Sequence, residues 1–221
     1  MTREPLPPPL PPETRTVGQL VAESLRLYGN RFLLVLPLGV PMALADLLAS
    51  GGTTADRIAV LVLFAPLLSA TYAAASAIVA SSRPSGRRWF AAILLGTLVF
   101  VPAAVFFPWF ALLSVAWLAL LGLVVPVAMI EAGGALAILR RAVALARADY
   151  VHAVGSLATL VIVFVLTRLA LAFVLRAQGD NTIRVAIFLS DLVVSPLLFL
   201  GAALLYVDQA ARAAVRSRPA T

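Results

Sequence analysis

Three ionisable side chains, Asp46, Arg168 and Asp191, interrupt stretches of sequence that are otherwise apolar. In hydrocarbon a lone charge costs a few kcal/mol on insertion scales, so such residues pair with one another or line a polar path. Their spacing says which could meet. Arg168 lies eight residues before Arg176, roughly 12 Å at helical rise. Asp191 lies seven residues after Arg184, roughly 10 Å. Only a short loop, 177–183, joins the two stretches. Antiparallel helices would therefore bring Arg168 and Asp191 face to face at one depth, and Asp46, near the same end of the first stretch, could join them. One chemistry this allows is a structural ion pair that fixes the register of the helix pair. The other is a substrate or proton site opening toward that loop.

A second set of polar residues sits at the edges of the apolar stretches. Glu131 and Asp208 each close one, and Arg140, Arg141 and Arg147 follow Glu131 in an amphipathic run. Glu131 could contact Arg140 or Arg141, or cap the next helix, where a carboxylate is favoured near the N-terminus. The arginines suit anionic lipid headgroups, or a coupling helix that docks a cytoplasmic protein. The chain has no Cys, which excludes thiolate metal sites and thiol nucleophiles. Its one His, His152, does not make a His-based metal site. No P-loop, HExxH, CxxC or GxSxG pattern occurs. Paired carboxylates for acid–base work are not evident. The expectation is a protein with no catalytic residues, metal or cofactor, and no nucleic-acid partner.

These residues need elements to position them, and the elements follow from apolar run length. From Phe90 to Ile130 no residue is charged over 41 residues. As one helix that run would reach about 60 Å, roughly twice the hydrocarbon thickness of a bilayer. It must cross and return, turning near the Pro- and aromatic-rich stretch 101–109. The hydrophobic fraction is 62%, against roughly 45–50% in soluble domains. The reading is an all-α, polytopic transmembrane bundle of six spans, at about 32–50, 58–80, 90–107, 110–130, 153–175 and 185–207. A Pro-rich segment, 1–15, precedes it as a solvated polyproline tail rather than a signal peptide, and a basic tail, 210–221, follows it. All 17 basic residues are Arg, a bias that suggests a bacterial genome. Thirteen lie in the two tails and the second–third and fourth–fifth connections, and three (Arg57, Arg176, Arg184) on the opposite side. The positive-inside rule then puts both termini in the cytoplasm of a bacterial inner membrane.

Two further segments read as interfacial amphipathic helices. In 16–31, Thr16 and Gln19 fit a capping box, and Val17, Leu20, Val21, Leu27 and Tyr28 share a face. In 132–150, Leu136, Leu139, Val143, Ala146 and Tyr150 form a stripe flanked by Arg140 and Arg147. The two segments align at an offset of 118, pairing Leu20 with Ile138, Leu25 with Val143 and Phe32 with Tyr150. A parallel internal repeat is one explanation, and chance matching in an apolar chain is the other.

Residues 125–157 read VPVAMIEAGGALAILRRAVALARADYVHAVGSL. A Pro and a Glu end a span (Pro126, Glu131), a helix carries Ala137, Arg140, Arg141 and Leu145, and an aromatic (Tyr150) opens the next span. With the opening TVGQLVAESLRLYGNRFLLVLPL and the closing LLYVDQAAR, this resembles the membrane domain associated with glycerophosphoryl diester phosphodiesterases and its stand-alone relatives. Many relatives carry Ser where Arg141 stands. The resemblance implies a membrane module, since in fused members the phosphodiesterase chemistry belongs to a separate soluble domain. The expected function is a non-catalytic accessory or interaction module linked to lipid or envelope processes, in contact with the bilayer and with a possible membrane or cytoplasmic partner. The alternatives are a transport permease subunit of the ABC-2 kind, with 132–150 as its coupling helix, and an intramembrane enzyme acting on lipid.

Overall fold

A computed structural model describes residues 11–131, 133–175, 177 and 179–217. Most of the Pro-rich segment, together with Arg3, Arg176 and Arg218, lies outside the described residues. Within them the chain is helical and has no strand. A single turn of 3-10 helix at Pro12–Thr14 leads into α1 (Val17–Asn30). The first passage follows as α2 (Phe32–Val35), a 3-10 turn at Leu36–Gly39, and α3 (Val40–Ala49). Next come α4 (Thr54–Ala80) and α5 (Gly86–Phe106), then α6 (Ala111–Leu121) and α7 (Val124–Ile130), which together make the fourth passage. The chain ends with α8 (Ala135–Ala148), α9 (Tyr150–Val174) and α10 (Asp180–Arg216). Six of these passages are long and apolar enough to cross a membrane, so this is a multi-pass helical membrane protein.

Local chemistry explains the boundaries. The Thr16 hydroxyl accepts from the Gln19 amide while the Gln19 side chain accepts from the Thr16 amide, a complete capping box. Thr53 and Asp56 repeat the device at the start of α4. Asp149 caps α9 by accepting from the His152 amide at 3.1 Å. Pro37 and Pro41 cannot donate to an α-helical ladder, and the first passage unwinds between them into the 3-10 turn. Inside the spans, hydroxyls bond back to their own helix: Ser69 to the Ala65 carbonyl, Ser76 to that of Tyr72, Thr97 to that of Ile93. Such groups need no partner from lipid.

The core is built from small residues and from α7. Ala73, Ala75 and Ser76 of α4 are buried, as is every residue from Val124 to Met129. Gly96 of α5 has Val125 and Ser69 so close that a Cβ would overlap both. Gly39, in the unwound turn, lies against the backbone of α10, where a Cβ would fall on the Leu192 carbonyl. The outer surface is apolar, with Leu33, Leu63, Phe90, Leu112, Phe173 and Val174 all exposed. In water that would be a liability; in a bilayer it is the expected surface.

The structure refines the sequence reading at four places. Pro12–Thr14 packs against α10 and Arg15 is buried, so residues 12–15 pack with the bundle rather than standing in solvent. The reason is an ion pair described below. The basic C-terminal tail is helix as far as Arg216, a continuation of the last span without a break. The fourth span is divided at Gly122–Leu123. Finally, α8 turns Ile138, Ala142 and Leu145 into the bundle together with Ala146 of the expected stripe; Leu139 of that stripe packs against the core, and Leu136 and Tyr150 are exposed. The inward face is the one that meets α6, α7 and α10.

The repeat gains geometric content. α1 and α8 are each 14 residues long, begin at Val17 and Ala135, and are followed by helices opening at Phe32 and Tyr150, every pair 118 apart. Leu20 and Ile138 are both buried, and Leu33 and Val151 are both exposed.

Candidate functional site

The three intramembrane charges meet. Arg168 of α9 is ion-paired to Asp46 of α3 through Nη2, and its Nε lies 3.3 Å from Asp191 Oδ1 of α10. The guanidinium also lies 5.6 Å from the centre of the Phe164 ring, one turn back on α9. Asp191 is fully buried, while Arg168 and Asp46 keep about a quarter of their side-chain surface exposed. The approach of Arg168 to Asp191 satisfies charge without hydrogen-bond geometry, and neither carboxylate oxygen of Asp191 has a hydrogen-bond partner among the described residues. Helix architecture sets this up. The unwound turn at Leu36–Gly39 lets the first passage touch α10 beside Leu192, and α3 then carries Asp46 toward the charges. Chemically the group is one cation held between two anions, tied across three passages.

The second polar group lies where the segment before α1 meets the last turns of α10. Arg15 Nη1 donates to Asp208 Oδ1 at 2.6 Å, with Asp208 fully buried. His152 Nε2 lies 3.7 Å from the other Asp208 oxygen and 3.5 Å from the Ser156 hydroxyl. Arg212 donates to Asp149 Oδ2 at 2.5 Å and to the Arg15 carbonyl at 2.6 Å. Gln209, also buried, donates to the Asp149 carbonyl at 2.8 Å and accepts from the Asp149 amide at 3.1 Å. The network staples the segment before α1 and the α8–α9 corner to α10. Further along α1, the Tyr28 hydroxyl is buried without a hydrogen-bond partner among the described residues, and desolvation pushes its pKa above the ordinary phenol value.

Asp208 is therefore not a headgroup-facing residue. Its position directly after the last apolar stretch made it look like an edge, but Arg15 arrives from almost 200 residues away in sequence and covers it. Arg141 is likewise engaged: its Nε donates to Glu131 at 3.0 Å, and Tyr206 donates to the same carboxylate at 3.0 Å. Arg140 and Arg147 remain exposed and have no ion-pair partner among the described residues. Sequence reasoning missed Arg15, Asp149, His152, Gln209 and Arg212. A usable signal existed, since Asp208, Gln209 and Arg212 share one face of an apolar helix, but nothing local names their partners.

A cavity of about 80 Å³ lies between α5, α6, α9 and α10, walled by side chains such as Val99, Leu118, Leu157 and Leu198. Neither Asp46, Arg168 nor Asp191 lines it. Set against known proteins, the chain matches no family model, no curated protein and no solved structure.

Proposed function

We propose that this chain is a non-catalytic integral protein of a bacterial inner membrane, an accessory or interaction module for lipid or envelope processes, with both ends in the cytoplasm. The observation that carries the reading is that the intramembrane charges close on one another while the nearby cavity is apolar and does not reach them. A transport or proton path would need polar walls connecting such charges to one membrane face. Arg168 is instead occupied by Asp46 and Asp191. The residues behind the resemblance to the phosphodiesterase-associated membrane domain have packing roles that suit a module. Pro126 is buried in α7, Glu131 joins Arg141 and Tyr206, and the Tyr150 hydroxyl donates to the Ala116 carbonyl at 3.0 Å. The Arg distribution supports the cytoplasmic assignment of the termini.

A permease subunit is the second reading, favoured by the exposed face of α8, where Leu136, Arg140, Ala144 and Arg147 point away from the bundle. Affinity purification of the tagged full chain from its native membrane, with identification of what accompanies it, separates the two. Envelope or lipid enzymes without an ATPase support the module. An ATPase recovered in equal amount, and lost on Arg140→Glu, replaces it with the permease.

A further inference from the structure

We infer that α6, α8 and α9 form a binding site for one anionic phospholipid, its phosphate held by Arg140 and Arg147 and its acyl chain lying against the mouth of the apolar cavity, a few methylenes of it inside. Arg140 and Arg147 are seven residues apart on α8, two turns, so they project from one side at a spacing of roughly 10 Å. Both are exposed, and neither is engaged by a carboxylate among the described residues, in contrast to Arg141 beside them. Between them lies a groove floored by Leu121, Leu139, Val143 and Ala144. Two cations over an apolar floor suit a phosphodiester with a hydrocarbon attached, since guanidinium binds phosphate through paired N–H donors and basic pockets between membrane helices take anionic headgroups.

The floor adjoins the cavity wall along the fourth passage. Leu121 of the groove is one residue from Gly122 and three from Leu118, and both of these wall the cavity. The cavity's α9 wall, Leu157 and Val161, lies seven and eleven residues beyond Tyr150, roughly 10 and 16 Å along α9 from its first residue. That is the depth range of an acyl chain in the adjoining leaflet, whose hydrocarbon half-thickness is about 15 Å. Leu118, Leu157, Val161 and Leu198 are only partly buried, so the cavity opens sideways between helices. An apolar cavity stays dry, and in a bilayer hydrocarbon is what fills it. Charge above and greasy space below, in register on one helix end, select a lipid rather than a free phosphate or an acidic peptide.

The inference rests on the membrane-module reading only for its solvent, not for its accessory role. The test is native mass spectrometry of the purified full chain supplied with phosphatidylglycerol or with phosphatidylcholine of the same acyl composition. One phosphatidylglycerol per chain should be retained, about tenfold in preference to phosphatidylcholine. R140Q/R147Q should abolish the preference, and R83Q/R87Q, which removes two exposed arginines from the same end of the bundle, should keep it. Dihexanoyl phosphatidylglycerol should be retained at least tenfold less than the long-chain form. Equal retention of the two headgroups, equal loss in both double variants, or indifference to chain length each overturns the site. The accessory role stands or falls separately, on the proteins recovered from native membrane.

Discussion

At the scale of single residues, the charges near the far end of the bundle behave as one unit with an asymmetry. Arg168 serves two carboxylates, whereas each carboxylate is only half of its counter-charge. Removing Arg168 strands a fully buried Asp191 and leaves Asp46 beside it; removing Asp191 leaves Arg168 still paired to Asp46. Breaking a buried pair by deleting one partner costs about 3–5 kcal/mol. Arg168→Ala should therefore lose on that order, and Asp191→Ala distinctly less. Arg168→Ala/Asp191→Ala should recover part of the loss of Arg168→Ala, because the stranded charge is gone. Denaturant titration of the four proteins in one detergent reads the cycle, and additive losses would dismiss the pairing. Arg15 makes the same argument at the other end. Asp208 has no exposed surface, so Arg15→Ala should destabilise by about 3 kcal/mol. It should also release the segment before α1 to protease, whereas Arg26→Ala, whose exposed pair with Glu23 spans 3.8 Å, should change stability by well under 1 kcal/mol. Equal sensitivity of the two variants would mean that the buried network does not hold the segment.

At the scale of elements, the first passage is the part that departs most from an ideal span, and its departure is what assembles the charge group. Pro37 and Pro41 open the helix, and Gly39 then approaches the α10 backbone where no side chain fits. Overpacking costs typically 1–3 kcal/mol where side chains can yield, but a carbonyl in a helix cannot. Gly39→Ala should therefore exceed that range and lower the yield of folded protein. Gly29→Ala, near the end of α1 with open space around it, should be neutral or slightly stabilising. Size-exclusion profiles and melting curves in detergent would separate them, and equal behaviour would remove Gly39 from the contact. The sequence announced the spans because run length and charge are one-dimensional properties, and it announced α1 because Thr16 and Gln19 are three residues apart. It also placed Arg168 opposite Asp191, because a short loop leaves two antiparallel helices little freedom of register. It did not announce Arg15–Asp208 or Arg212–Asp149, because those partners are set by how elements far apart in sequence stack at one end of the bundle. The face of α8 was misread for a related reason. Periodicity marked one stripe, Leu136 to Tyr150, and only packing against α6, α7 and α10 decides that Ile138, Ala142 and Leu145 go inside with Ala146 of that stripe.

At the scale of the whole molecule, the ion pair between Arg15 and Asp208 constrains topology without reference to any charge rule. It ties the segment before the first passage to the last turns of the sixth, so both must lie at the same end of the bundle. An even number of crossings meets that demand, and an odd number would not. Which face of the membrane this end occupies follows from the arginines: Arg83, Arg87, Arg140 and Arg147 share it, while Arg57 and Arg184 lie at the other. Translocation disfavours the Arg-rich side, so that end should stay in the cytoplasm. The absence of Cys makes the test clean. Ser85→Cys lies in the exposed connection before α5, and Ala177→Cys in the exposed connection before α10. A membrane-impermeant maleimide applied to intact cells should label Ala177→Cys and leave Ser85→Cys unlabelled until detergent opens the membrane. Reversal of the two would invert the molecule and move Arg140 and Arg147 to the outer leaflet. Labelling of both from outside would break the six-crossing arrangement, and with it the reason that one carboxylate in α10 can be reached by an arginine that precedes every span.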